Sequence, residues 1–249
     1  LIPKPFDPRL IIKIAPAVAQ AAMDSGVATR PIEDMDAYRE QLGTTVYRTG
    51  MVMRPVFATA KKKEARIVFA EGEDERVLRA AQFVLLEKIA KPVIIGRPSV
   101  VEMRLEKIGS KLKAGVDFEI VNPEDDTRYQ RYWQAYHEIG ARDGVTPEVA
   151  KAALRKFNTL IGAMLVHLGD ADGMICGMID TFHTHLKFIE QVLGRAKGAE
   201  HFAAMNLLML PGRNLFMCDT YVNELPSAEQ LADMTIQAAG EIERFGITP

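Results

Sequence analysis

Apolar residues recur along the chain in two rhythms, and the change from one to the other divides the sequence. Over residues 8–26 the spacing is helical: Ile11, Ile14, Val18 and Ala22 recur on one face, Pro8 suits the opening turn and Gly26 the stop. A second helix is predicted over residues 33–42, closing at Gly43, with acidic residues at its start where the helix dipole favours them. Residues 43–64 carry Gly50, Pro55 and the run Lys61, Lys62, Lys63, and read as a linker with a solvated basic end.

From Ala65 onward, short apolar runs alternate with helical patterns. RIVF (66–69), PVIIG (92–96), DFEIV (117–121) and GMIC (173–176) predict buried strands. A helix is predicted over residues 76–90, with Val77, Ala81, Val84 and Leu85 on one face, and Pro98 opens another that Gly109 ends. Two longer helices are expected between the third and fourth strands, the second opening on Thr146-Pro147-Glu148, an N-cap followed by proline. A further helix is predicted over residues 184–193. MNLLML and NLFMC read as two more strands, and Ser227-Ala228-Glu229-Gln230 starts a final helix with capping-box residues.

Alternation of this kind calls for a doubly wound, mostly parallel α/β sheet with helices on both faces, here preceded by a helical segment. Three regions are expected: a helical segment over residues 1–42, a linker over 43–64 and an α/β domain over 65–249. The last helix runs out at Phe245-Gly246, and Ile247-Thr248-Pro249 leads toward what is expected to be another strand. The domain is therefore read as truncated there.

Composition narrows the class of protein. Lysine and arginine number 31 against 33 acidic residues, a net charge of −2, which gives no global attraction to nucleic acid or anionic lipid. With 48% hydrophobic and 26% charged residues the chain has the balance of a globular protein rather than a disordered one. No window approaches the roughly 20 apolar residues of a membrane span. LIPKPFDPRL has neither the pattern of a secretory signal nor an initiator Met, so a piece of something longer is expected, with the cytoplasm as its default location. Cys176 and Cys218 provide no disulfide framework and no zinc spacing.

Candidate chemistry is sparse. Neither G-x-x-x-x-G-K-[ST] nor G-x-G-x-x-G occurs, which disfavours P-loop and dinucleotide binding. Gly173 and Gly177 flank a strand, where they relieve packing or admit a ligand backbone closely. Glu71, Glu73, Asp74 and Glu75 form an acidic turn after the first strand. Support of the following helix N-terminus is the favoured role there, with acid–base or magnesium chemistry as the alternative. Asp172 and Asp219 border apolar strands, as turn caps or as orienting groups in a cleft. Met205, Met209 and Met217 read as core filling. His183-Thr184-His185 opens a helix. For a metal it needs a third ligand and has only Asp180 near, so no metal site is assigned. For an anion, Lys187 lies four residues after His183 on the same helix face, and the free N–H groups of the first turn add to it.

Three segments together resemble a known family. EGEDERVLRAA (71–81), ADGMICG (171–177) and DTYVN (219–223) followed by PSAEQLA (226–232) are similar, in order and separation, to phosphotransacetylases. LIPKPFDPRL and the later APAVAQAAMDSGVA resemble the closing segment of bacterial malic enzymes. The two resemblances in this order point to the long bacterial malic enzymes fused to a phosphotransacetylase-like domain. NPEDD, AAMNLLML and DTYVN lie closer to that fused version.

The resemblance implies a two-lobed phosphotransacetylase-like fold. It implies a parent enzyme that oxidises malate to pyruvate and CO2 with NADP or NAD and Mg2+ or Mn2+, those sites lying upstream of Leu1. No cofactor, metal or malate-oxidising catalytic residue is therefore expected in this chain. It implies that the appended domain binds acetyl-CoA as an effector, supports a homo-oligomer and works with the malic enzyme catalytic domain in cis. Active phosphotransacetylases carry an arginine where Lys187 stands and paired threonines where Thr181-Phe182 stands. Lysine keeps the charge but loses the bidentate fork that fits phosphate. Thr181, His183 and Lys187 are accordingly the expected contacts for acyl-CoA or phosphate. The expectation is a regulatory module without acyl transfer; the alternatives are a working acetyl- or butyryltransferase and a purely structural oligomerisation module.

Overall fold

A computed structural model describes residues 8–210 and 213–249, so the opening LIPKPFD of the malic-enzyme-like segment lies outside the described residues. Two compact units divide the chain. One takes residues up to Ala58 together with Glu200–Pro249, and the other is Thr59–Ala199.

The second unit is built on four parallel strands: β1 (Arg66–Phe69), β2 (Lys91–Ile95), β3 (Glu119–Val121) and β4 (Gly173–Ile175), in the order β3-β2-β1-β4. Register is set by the apolar runs, Val68 standing opposite Val93 and Met174, and Ile94 opposite Ile120. Side chains alternate between the two faces, as the two-residue period of a strand requires. Val68, Val93, Ile95 and Val121 enter one core, whereas Phe69 and Ile94 enter another with Val77, Leu78, Val101, Leu105 and Phe118. Each face is covered by helices, which is why these strands, beyond their first residues Arg66, Lys91 and Glu119, are apolar instead of alternating with polar residues.

Helices α3 (Glu75–Glu87) and α4 (Pro98–Lys107) supply the second core. The first is closed by α5 (Tyr129–Gly140), α6 (Pro147–Lys156), α7 (Asn158–His167) and α8 (Phe182–Val192). Asp74 caps α3 by accepting from the Arg76 N–H, and Thr146 caps α6 by accepting from the Val149 N–H, with Pro147 in the first turn. Where one long helix was predicted after Thr146 there are two. Phe157, at φ −118° and ψ 102°, leaves helical geometry and ends amphipathic α6. The chain then re-enters the interior as α7, whose residues 159–165 are all buried.

Gly72, just after β1, answers a close approach. A Cβ there would lie 2.2 Å from the Ile94 Cγ2 and 2.6 Å from the Ile95 carbonyl oxygen. Its N–H donates to that carbonyl at 3.0 Å, tying the acidic turn to the end of β2.

The first unit contains α1 (Pro8–Asp24), β5 (Met205–Leu210), β6 (Arg213–Cys218) and α9 (Ala228–Arg244), and the division falls inside α2 (Met35–Lys63). The helix predicted to close at Gly43 instead continues through Gly50 and Pro55 to Lys63, so the segment read as a linker over residues 43–64 is helical up to that residue. Gly and Pro reduce helix propensity without excluding the helix, and they do not end this one. Strands β5 and β6 pair antiparallel, Leu208 opposite Leu215, as a separate two-stranded sheet. Helix α9 opens with the expected capping box, Ser227 and Gln230 exchanging hydrogen bonds. No described helix is long and apolar enough to cross a membrane.

Candidate functional site

The turn after β4 and the first turns of α8 carry the candidate residues. Thr181 is the N-cap of α8: its hydroxyl accepts from the Thr184 N–H and lies 3.0 Å from the Thr184 hydroxyl. Its role is to turn the chain into the helix, and it does not line the cavity beside α8. His183 and Lys187 do. They sit one helical turn apart on a cavity of about 700 Å³, walled by Tyr136 of α5, the turn Asp143–Val145 and Val149 of α6. Neither the His183 ring nor the Lys187 ammonium has a hydrogen-bond or ion-pair partner among the described residues. Glu190, which is also on the wall, faces Arg195 at 3.8 Å, and Asp143 adds a second carboxylate. The volume falls in the range of small-molecule sites, and its charges are mixed in sign.

His185 does something else. On a helix, residues two apart point to nearly opposite sides, so His183 faces the cavity while His185 turns inward. It is 7% exposed, and together with Glu71 at 7% and Thr159 at 6% it is one of three buried polar or charged residues described, all in one cluster. The His185 Nε2–H donates to the Ile179 carbonyl at 2.6 Å, and Nδ1 faces the Thr159 Oγ1 at 2.7 Å. Glu71 Oε1 lies 4.0 Å from Nε2 and accepts from the Gly177 N–H at 2.9 Å. This cluster stands at the carboxyl ends of β1 and β4. There the connections reverse direction, because β2 and β3 build out on one side of β1 and β4 on the other. Cys176 borders it. Burial pushes its thiol up to about 11, the Glu71 charge reinforces that, and a hydrogen bond from Thr159 works against it.

The remaining acidic candidates are structural. Glu73 is held in a fork by Arg97, whose guanidinium depresses its pKa against the opposing effect of burial. Asp74 is held at about 2, chiefly by its hydrogen bonds from Arg76, and Glu75 pairs with Lys107 and Arg104. Asp74 thus supports the N-terminus of α3 as the favoured reading expects, whereas Glu73 and Glu75 tie the turn to α4 and Glu71 is buried. Asp172 accepts from the Arg66 N–H at 2.7 Å and so joins the starts of β1 and β4. Burial raises the Asp219 pKa, but donors from Ala204 and Asn223 outweigh it and hold the group at about 2. Among the described residues no three His, Cys, Asp or Glu side chains could hold a metal ion. The sequence reading missed the inward role of His185 and the buried hydroxyl of Thr159; the spacing of His183 and His185 was the signal for the first.

A profile described as phosphate acetyl/butaryl transferase matches residues 51–249. The chain belongs to the phosphate acetyl/butaryl transferase family. Several similar relatives are named as malic enzymes. An NADP-dependent malic enzyme of Salmonella typhimurium is 53% identical over the whole chain, which covers 33% of that protein. An NAD-dependent malic enzyme of Rhizobium meliloti is 52% identical, again over the whole chain and 32% of the relative. The chain thus spans about a third of the length of the curated relatives it matches. The family fold is shown by the EutD phosphotransacetylase of Staphylococcus aureus, with a TM-score of 0.73 at 22% identity over 80% of this chain and 59% of that one. The phosphotransacetylase-like domain of malic-enzyme relatives is thereby the setting of the α8 cavity.

Proposed function

We propose that this chain is the regulatory phosphotransacetylase-like part of a malic enzyme that turns malate into pyruvate and CO2, and that it binds acetyl-CoA as an effector without transferring the acetyl group. The observation that carries this reading is the α8 cavity. The His183 ring and the Lys187 ammonium, which have no hydrogen-bond or ion-pair partner among the described residues, face a space large enough for part of a CoA ester. The diphosphate and 3′-phosphate of CoA are anions of the kind that a helix first turn and an ammonium attract. Lysine in place of a guanidinium, and phenylalanine at 182 in place of a second hydroxyl, weaken the hold on a transferring acyl phosphate more than the hold on a bound effector. Acyl transfer also needs a base for the thiol and donors for the oxyanion. The buried Glu71–His185 pair is engaged within the protein and does not line the cavity.

NADP or NAD and Mg2+ or Mn2+ would serve the malate-oxidising part of the whole protein. This chain's residues do not fit those groups, having no dinucleotide fingerprint and, among those described, no metal-binding trio. No step is assigned to them here. Acetyl-CoA acts by shifting the attached dehydrogenase between states according to its differential affinity for them, within a homo-oligomer that the domain helps to hold.

The test is malate oxidation by the intact enzyme with and without saturating acetyl-CoA. The expected result is a changed rate, with the half-effective concentration raised about tenfold by Lys187→Ala, the size of one lost charge-assisted contact. A rate indifferent to acetyl-CoA refutes the reading. CoA-dependent release of acetyl groups from acetyl phosphate would replace it with the transferase alternative.

A further inference from the structure

The buried cluster beside the α8 cavity has no part in the reading above, yet it is built around the same helix. His185 joins three elements: its ring meets Thr159 of α7, the Ile179 carbonyl in the turn after β4, and the carboxylate of Glu71 at the exit of β1. That turn is conformationally demanding. Gly177 has φ +116° and Asp180, a non-glycine, has φ +76°. Both lie in the left-handed half of backbone space, which must be held by neighbouring contacts. The contacts that brace it are the Gly177 N–H bond to Glu71 and the bond from His185 to the Ile179 carbonyl. Directly after this turn come Thr181, His183 and Lys187.

The partners of His185 accommodate both protonation states without moving. The Ile179 carbonyl can only accept, so Nε2 carries a hydrogen in either state. Opposite Nδ1, the Thr159 hydroxyl donates to a neutral ring and accepts from a charged one, which then leaves its own hydrogen for the Cys176 sulfur. Only the charged ring gains from the Glu71 carboxylate at 4.0 Å. Other titratable groups near it are Cys176 at the exit of β4, Tyr136 on α5 (whose hydroxyl is engaged by Gln191 of α8) and His183 and Lys187 on the helix itself.

We propose that His185 is a positioning residue for the His183–Lys187 site: when protonated it binds the β4–α8 turn to Glu71 and Thr159 more firmly, and so strengthens anion binding at the first turns of α8. The proposal rests on the acetyl-CoA reading for the identity of the anion, but not for the behaviour of the turn. An imidazolium buried about one helical turn from a bound anion also adds its own attraction, so affinity rises as pH falls.

The test uses the intact protein, with acetyl-CoA affinity measured by calorimetry between pH 5.5 and 8.5. Amide hydrogen exchange of residues 177–181 is followed over the same range, corrected for intrinsic rates. Wild type is expected to bind about fivefold more tightly at the acid end, with the turn better protected there. His185→Gln is expected to lose both trends apart from the residue due to exposed His183. Glu71→Gln, which removes the carboxylate charge 4.0 Å from the ring, is expected to reduce the gain at the acid end. Superimposable profiles for wild type and His185→Gln overturn the proposal. If His185→Gln does not fold, an unchanged profile in Glu71→Gln overturns it instead. Failure of acetyl-CoA to bind at any pH refutes the effector reading alone, and the exchange data then decide the positioning role.

Discussion

Replacing Gly72 by alanine adds one methyl group where the chain has left no room. The new carbon would sit 2.2 Å from the Ile94 Cγ2 and 2.6 Å from the Ile95 carbonyl oxygen, against an ordinary contact of about 3.4 Å or more. Ile94 is 0% exposed and packed among Phe69, Leu78 and Phe118, so its side chain has no free volume to swing into. The second obstacle is backbone, and moving it away also stretches the Gly72 N–H bond to the same carbonyl. Overpacking of this kind costs about 1–3 kcal/mol and a weakened buried hydrogen bond about 1 kcal/mol more, so a loss of about 2–4 kcal/mol is expected. The chain's single tryptophan, Trp133 on α5, packs against the sheet core with the Lys151 ammonium 4.4 Å from its ring centroid, and its fluorescence reports unfolding of that unit. With a urea dependence of about 2 kcal/mol per M, the midpoint should fall by about 1–2 M. A midpoint within about 0.2 M of wild type would refute the close-packing argument for the turn after β1.

Gly240 makes the opposite case: an alanine Cβ there meets nothing within 4 Å inside α9, so Gly240→Ala should stabilise the helix by about 0.5–1 kcal/mol, read from thermal melting by circular dichroism. Asp219, held at about 2 when folded, contributes stability that is complete above the ordinary carboxylate value near 4 and is lost as pH falls toward 2. Urea midpoints between pH 5 and pH 2 should show this loss, and Asp219→Asn should flatten that part of the profile; an unchanged slope would contradict it. Cys176, with its thiol pushed up to about 11 by burial, should be alkylated by iodoacetamide at pH 8 much more slowly than exposed Cys218, as judged by peptide mass spectrometry.

The parallel sheet was legible because most of its strand positions are apolar and packed, so RIVF, PVIIG and the FEIV part of DFEIV stand out as short, mainly apolar runs between turn residues. The caps at Thr146 and Ser227 were legible for the same local reason: a hydroxyl ahead of a helix satisfies N–H groups wherever the helix lies. Helix α2 was not, since Gly43, Gly50 and Pro55 are local penalties that lower helix propensity without ending the helix. The pairing of β5 with β6 was recoverable and overlooked: only Pro211, Gly212 and Arg213 separate the runs MNLLML and NLFMC, far too few for the crossover a parallel pair requires. Helical spacing puts His183 and Lys187 on one face of α8, and both line the same cavity. The burial of His185 against Glu71 depends on contacts between residues far apart in sequence, and composition alone carries no trace of them.

The central position of β1 sets a timetable for synthesis. Its two neighbours are made at very different moments: β2 follows within one helical crossover, whereas the Asp172 and Gly177 anchors of β4 come 106 residues after their partners. A nascent chain emerging from the ribosome therefore exposes one long edge of β1 for several seconds, at roughly 5–20 residues per second, before anything can cover it. For that interval the backbone groups of the RIVF segment on that side have no strand partner, and slower translation upstream of β4 would lengthen their exposure.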